Sequence, residues 1–362
     1  MIKLKSLNSS FYTILFLLGA SLHSLAQNQI QHFPGKHWDY VNNIEASGYS
    51  LNNLKKAKAY AEGINTAAVV IVVNGKILYE WGSVDQKYNT HSIRKSFLST
   101  LYGNYVNQGI IDIDLTMQQL EIDDVPPLSD AEKEATIRDC LKARSGIYHP
   151  ALYESSGMKA LKPKRFTEKA GAHWYYNNWD FNVAGTLFTK LTGKDIFEAI
   201  KTEIANPIQM ESYTPKDGYY VTGKEFIHPA YPFRITARDL ARFGLLMLKN
   251  GKWKDKQLIP EAWVKESTSY HSDARLYKTD GYGYMWWVAK DYNKFPHLPV
   301  VQLDETTYSA RGAGGHYLLI IPKYDMVIVH RVDTDKPNNR VNATEFGKLV
   351  QLILNSHNKS DF

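Results

Sequence analysis

Hydrophobic positions follow two rhythms along this chain, and the changes between them mark out its elements. Residues 66–73 are an almost unbroken apolar, mostly β-branched run, closed by Asn74-Gly75 and followed by a second run at 76–81. Asn-Gly between two such runs predicts a tight β-hairpin, because both central positions of that turn need a positive φ. Residues 316–321 and 326–332 read as a second strand pair, joined by Pro322-Lys323-Tyr324-Asp325. Between these ends the period becomes helical. Ile93, Phe97, Leu98, Leu101, Tyr102, Tyr105 and Val106 recur at helical intervals up to Gly109 and predict an amphipathic helix. Further helices are expected at 51–58, at 137–143 before a Ser145-Gly146-Ile147 turn, at 181–191 before Thr192-Gly193, and at 240–248 between Thr236 and Asn250-Gly251. Strands at both ends with helices between them predict an α+β fold whose antiparallel sheet joins chain-distant strands. The expected division is an α/β part at about 27–90 and 240–355 and a mostly helical part at about 91–239. No internal repeat, low-complexity tract or linker interrupts it.

The N-terminus has a separate character. Lys3 and Lys5 precede an apolar core at 11–22, and Ser24-Leu25-Ala26 is a small-x-small cleavage site before Gln27. Residues 1–26 therefore read as a signal peptide too short to span a bilayer, and residues 27–355 as the working domain. No cysteine follows the cleavage site, so no stable membrane anchor is expected. Cys140 is the single cysteine, which rules out an intramolecular disulfide and suits a bacterial envelope, periplasmic or secreted. Without Lys3 and Lys5 the formal net charge falls from +6 to +4. There is no basic block, so no nucleic-acid partner is implied. His149, His173 and His316 have no metal-ligand spacing, so neither a metal nor another cofactor is expected.

Ser92-Ile93-Arg94-Lys95 opens the predicted helix that follows the hairpin. Positions i and i+3 share a helix face, so the Lys95 amine can reach the Ser92 hydroxyl. Serine is a weak nucleophile until an adjacent base takes its proton. The same tetrad also describes an N-capping serine followed by a solvated lysine. It recurs at Ser156–Lys159 in a loop-like run and at Ser356–Lys359 in the polar C-terminal tail, but only Ser92 leads a helical apolar period. Two further segments follow in order. One is Tyr176-Asn177-Asn178, a Y-x-N with Gly171 five residues before the tyrosine and Gly185 nine after; the other is Gly312-Ala313-Gly314-Gly315-His316 ahead of a late strand. Y-x-N also occurs at Tyr40, Tyr102 and Tyr175.

S-x-x-K, then Y-x-N, then a glycine-rich turn into a late strand resembles the serine β-lactamase-related family. That family includes class C β-lactamases, DD-peptidases, family VIII esterases and 6-aminohexanoate-dimer hydrolases. The likeness extends through Ile137-Arg138-Asp139-Cys140-Leu141, Thr236 to Gly244, and Gly281-Tyr282-Gly283-Tyr284-Met285-Trp286-Trp287, roughly from Asn65 to Val332. The resemblance implies a β-lactamase/DD-peptidase-like fold, with Ser92 as acylated nucleophile and Lys95 and Tyr176 sharing proton transfer. It implies that the lysine charge helps to hold the tyrosine ionised, and that Asn178 contacts Lys95 or a substrate carbonyl. The oxyanion donors would be the Ser92 N–H and an N–H on the Gly314–Gly315 edge. The family's third motif is usually K-T-G or H-x-G, read here as Gly312-Ala313-Gly314, without a cationic side chain. Neutral esters or uncharged amides are therefore the expected small-molecule substrates, with Arg311 as an alternative anion contact. Two other readings stay open: a β-lactamase or DD-peptidase using the same nucleophile, and an inactive ligand-binding relative. The aromatic segments 174–179 and 282–287 and the loop 148–156 are the expected pocket walls.

Overall fold

The computed structural model describes residues 31–274, 281–289 and 298–358; the expected signal peptide lies outside the described residues. Residues 66–73 are apolar at successive positions because both faces of their strand are covered. Ala68, Val70 and Val72 enter one core, and Val69, Ile71 and Val73 another on the opposite face. That strand, β1 (Thr66–Val73), turns through Asn74 and Gly75, both at positive φ, into β2 (Lys76–Gly82). The C-terminal half adds β3 (Ser272–Asp273), β4 (Gly281–Tyr282), β5 (Trp287–Val288), β6 (Tyr308–Gly312), β7 (His316–Ile321) and β8 (Met326–Val332). They form one antiparallel sheet in the order β2-β1-β8-β7-β6-β5-β4-β3. β1 pairs with β8 across the length of the chain, Val70 opposite Val329. The hairpin and both late strands lie where the apolar pattern placed them.

Helix α1 (Leu51–Glu62) and the C-terminal helix, here α5 (Ala343–Leu354), cover one face of the sheet. The other face carries α2 (Ile93–Asn107), α3 (Asn178–Thr192) and α4 (Ala237–Leu248). α4 packs directly on β1, β7 and β8. A large antiparallel sheet flanked by helices, its centre made by pairing β1 with β8, is the α+β architecture expected from the sequence.

α2 corrects one expectation. It is buried around nearly its whole circumference, not amphipathic. Two bonds tie it to later parts of the chain: Ser96 Oγ donates to the Met285 carbonyl at 2.8 Å, and Trp263 Nε1 donates to the Ser99 backbone carbonyl at 2.8 Å. A helix with no solvent face lies at the centre of a large fold. Side chains carried on it are therefore held in place and partly stripped of water.

Candidate active site

Ser92 sits at the N-terminal boundary of α2 with φ −77° and ψ −9°, already in the helical region, and its hydroxyl caps no backbone N–H. Lys95, one turn on, is 1% exposed. The capping serine with a solvated lysine is thus not what the chain builds. Lys95 Nζ lies 3.1 Å from Ser92 Oγ, 2.8 Å from the Tyr176 hydroxyl and 2.9 Å from Asn178 Oδ1. Nζ also lies 4.1 Å from the ring centroid of Tyr176 and 4.2 Å from that of Phe181.

Burial, seconded by the neighbouring Arg94 charge, pushes the Lys95 amine well below its usual range. Burial also raises the Tyr176 phenol, against the opposing pull of its Ser92 hydrogen bond, Arg94 and Arg311. Both shifts favour a neutral pair over an ammonium beside a phenolate. A neutral amine donates twice and accepts once. Asn178 Oδ1 can only accept, while the two hydroxyls can do either, so Nζ is free to accept from Ser92 O–H. The sequence expectation of an ionised tyrosine held by a charged lysine is not what burial favours.

The Y-x-N register is decided by what anchors it. Asn177 caps α3, its side chain accepting from Trp179 N, and donates to the Ile147 carbonyl at 2.7 Å and to Asp180 Oδ1 at 2.8 Å. Asp180 in turn accepts from the Ser145 hydroxyl and backbone. The Ser145-Gly146-Ile147 turn thereby locks the start of α3, and Tyr176 and Asn178 flank this knot facing Lys95. Tyr175 points elsewhere, its hydroxyl donating to the Met158 carbonyl at 2.7 Å. The other S-x-x-K matches carry nothing comparable. Ser156 and Lys159 are exposed on a short helix, Ser156–Leu161. Ser356 is buried, not in a solvated tail, donating to the Ile353 carbonyl at 2.6 Å, and Lys359 lies outside the described residues.

A cavity of about 540 Å³ opens over Ser92, Tyr176 and Asn178. Trp174, Trp287 and Tyr153 wall it, within the segments the aromatic pattern singled out. The Trp287 ring stacks on Tyr176 at 5.3 Å and 25°. Arg311, only 8% exposed, borders the same cavity with its guanidinium 4.8 Å over Trp287 and Nε donating to Ser309 Oγ at 3.0 Å. It is not the solvated strand-edge residue that arginines at such places commonly are.

Gly314 and Gly315 line the cavity as well, at φ +88° and +100°, as the turn between β6 and β7 requires. A Cβ on Gly314 would strike Thr334, and one on Gly315 the Val341 backbone, so their α-carbons face that loop. Gly312, the last residue of β6, is the one packed against the chain just before the nucleophile: a Cβ there would lie 2.7 Å from the Thr90 carbonyl and 3.3 Å from His91 Cβ. His316 is buried with Nε2 3.3 Å from Thr334 Oγ1 and does not line the cavity. His91 and Arg94, which the sequence reading passed over, do line it. His91 holds φ +45°, an uncommon conformation for a non-glycine residue, with its N–H donating to Asn89 Oδ1 at 2.8 Å and its ring bonded to Thr334 Oγ1 at 2.8 Å. Burial, with Arg331 and Arg94 nearby, lowers its imidazole to about 4, so it is neutral at physiological pH. Their signal was position alone, beside Ser92 in the chain.

Known proteins resemble this chain in sequence family and in fold. A family model described as Beta-lactamase matches residues 52–351. An uncharacterized protein of Alkalihalophilus pseudofirmus is 22% identical over 334 residues, covering 83% of this chain and 95% of its own. A structure from Bacillus anthracis, provisionally named a 6-aminohexanoate-dimer hydrolase, superposes with a TM-score of 0.64 at 20% identity over 90% of this chain and 88% of its own. A β-lactamase/D-alanine carboxypeptidase from Pseudomonas syringae reaches a TM-score of 0.60 at 18% identity, over 84% and 97% of the two chains.

Proposed function

This chain belongs to the beta-lactamase family, and we propose that within it the protein is an exported serine hydrolase cleaving an ester or amide through an acyl-enzyme on Ser92. The observation that carries the proposal is the convergence of the buried Lys95 amine on Ser92, Tyr176 and Asn178. In the first half-reaction Ser92 Oγ attacks the acyl carbon and its proton passes to the neutral Lys95. Tyr176, hydrogen-bonded to the same nitrogen, relays a proton to the leaving oxygen or nitrogen as the tetrahedral intermediate collapses. In the second half water attacks the acyl carbon, gives its proton to the same pair, and Ser92 leaves with a proton. Asn178 holds Lys95 by accepting from Nζ, with its own amide donating to the Leu152 carbonyl at 3.4 Å.

The oxyanion requires preorganised donors beside the nucleophile. The Ser92 N–H is one. The packing of Gly312 against Thr90 and His91 favours the Gly312–Ala313 end of β6 for the second, with the Gly314–Gly315 turn behind it. Export is supported by the sequence of residues 1–26, and no helix among the described residues is long and apolar enough to cross a membrane.

The second reading, a β-lactamase or DD-peptidase, gains one supporting observation in the placement of Arg311 on the cavity. The deciding assay compares kcat/KM for a p-nitrophenyl ester, an anilide and a chromogenic cephalosporin, with Ser92→Ala as control. Ester or amide turnover that exceeds cephalosporin turnover and disappears in Ser92→Ala is expected. A cephalosporin preference would move the protein to the second reading. Absence of all turnover and of fluorophosphonate labelling would favour an inactive ligand-binding relative.

A further inference from the structure

Thr334 stands two residues beyond the end of β8 and is not among the residues that line the cavity. Its side chain nonetheless joins the two sides of the oxyanion site. Oγ1 lies 2.8 Å from Nε2 of His91, the residue before the nucleophile, and 3.3 Å from Nε2 of His316, the first residue of β7. Its methyl group closes on the glycine turn, where a Cβ on Gly314 would strike Thr334 Cγ2. His91 and His316 both pack on Gly312, whose Cβ would lie 3.3 and 3.0 Å from theirs. We infer that Thr334 is a positioning residue for the hydrolysis, its hydroxyl fixing the Ser92 N–H and the Gly312–Ala313 edge at the separation an oxyanion needs. The inference rests on the serine-hydrolase reading of this cavity.

A threonine hydroxyl has one proton, so it donates to one imidazole at most and the other ring must donate to it. Burial, with Arg331 nearby, lowers His91 to about 4 and holds His316 well below the usual range, so both rings are neutral and either can take either part. No hydrogen-bond partner among the described residues meets the buried His316 Nδ1, which leaves Thr334 as the polar contact that orients this ring. The backbone of His316 is paired with Gly312, so its placement bears directly on the end of β6. On the other side, the positive φ of His91 persists only where its surroundings over-determine it. Arg331 Nη2 donates to the Tyr88 and Asn89 carbonyls at 2.9 and 3.0 Å, Asn89 Oδ1 accepts the His91 N–H, and Arg94 Nη1 donates to the His91 carbonyl at 3.1 Å. Those bonds hold the backbone ahead of Ser92, and the Thr334 bond ties it to the glycine turn across the site. Oxyanion donors act by being in place before charge develops, so loosening that tie slows the chemistry without weakening ground-state binding.

Thr334→Val removes the hydroxyl and keeps the shape, while Thr334→Ser keeps the hydroxyl and loses the methyl. Both are compared with wild type in p-nitrophenyl acetate hydrolysis and in inhibition by phenylboronic acid, each protein checked for folding by its thermal melt. Phenylboronic acid adds to the Ser92 hydroxyl, which gives up its proton, and the tetrahedral boron carries an oxygen where the oxyanion would stand. Removing one direct oxyanion donor costs about 100- to 1,000-fold, so displacing donors indirectly is expected to cost about 10- to 100-fold in kcat. KM stays unchanged, because acylation and deacylation both pass through the oxyanion. Boronate affinity falls with kcat in Thr334→Val, and Thr334→Ser recovers most of both. Wild-type kcat in Thr334→Val overturns the inference, as does a loss confined to KM. An equal loss in Thr334→Ser also overturns it, because packing on Gly314 then matters and the hydroxyl does not. If Thr334→Val does not fold, His91→Asn decides: asparagine tolerates the positive φ but gives up the ring. Parallel losses of kcat and boronate affinity support the inference there, and wild-type values overturn it. A wild-type protein with neither turnover nor boronate binding refutes the hydrolase reading itself, and this inference falls with it.

Discussion

Replacing Lys95 with alanine removes the group on which the proposed chemistry turns. Nζ stands 3.1 Å from the hydroxyl it would deprotonate and 2.8 Å from the phenol it would exchange protons with. Among the described residues that line the cavity no other amine could take over, because the cations there, Arg94 and Arg311, are guanidinium groups that do not act as bases at ordinary pH. Loss of a positioned proton-transfer group costs about 100- to 10,000-fold in rate, equivalent to about 3 to 5 kcal/mol of barrier. The pH dependence carries its own sign. The neutral amine is the competent form, so kcat/KM rises with pH as Lys95 deprotonates. Burial and Arg94 lower that pKa, so the plateau arrives well below the range of an ordinary lysine. The assay is a p-nitrophenyl ester hydrolysis profile from about pH 5 to pH 10, in wild type and Lys95→Ala. The rising limb is expected to disappear in the variant along with the rate. Activity within about tenfold of wild type, or a variant that keeps the same rising limb, would refute the assignment of Lys95 as base.

Other consequences are equally open to measurement. Tyr176→Phe should lower turnover by roughly 100-fold or more, whereas Tyr175→Phe, which loses only the bond to the Met158 carbonyl, should cost far less activity; the reverse ranking would shift the Y-x-N register by one residue. Gly312→Val places a Cβ 2.7 Å from the Thr90 carbonyl and should cost about 1–3 kcal/mol in a denaturant titration together with most turnover. Unimpaired kcat in that variant would remove the end of β6 from the oxyanion site.

Much of the architecture was legible because it is written in local pattern. The Asn74-Gly75 hairpin and the strands 316–321 and 326–332 fell into place residue by residue, since an unbroken apolar run needs only a covered sheet. The helix carrying Ser92 departs from its local pattern. Arg94, Lys95, Ser96 and Ser99 look like a solvent face in one dimension, yet all are buried by elements far away in sequence. Long-range partners such as Met285 and Trp263 leave no trace in a helical period. The core of the site was legible through spacing: Ser92 to Lys95 is one helical turn, and Tyr176 and Asn178 flank the Asn177 cap of α3. The oxyanion edge was less so, because where a glycine-rich turn ends is set by strand pairing, here Gly312 opposite His316. Arg94 stands inside the motif, yet its burial beside Tyr153 and Tyr231 depends on segments distant in the chain and leaves no mark on the local pattern.

The central claim is that Ser92 becomes acylated. Intact-mass analysis of wild type and Ser92→Ala after exposure to a fluorophosphonate, followed by peptide mapping, tests it most directly. A single adduct on the peptide carrying Ser92, absent from a folded Ser92→Ala protein, is the predicted result. Labelling that persists in Ser92→Ala, or that maps to Ser156, would contradict the account.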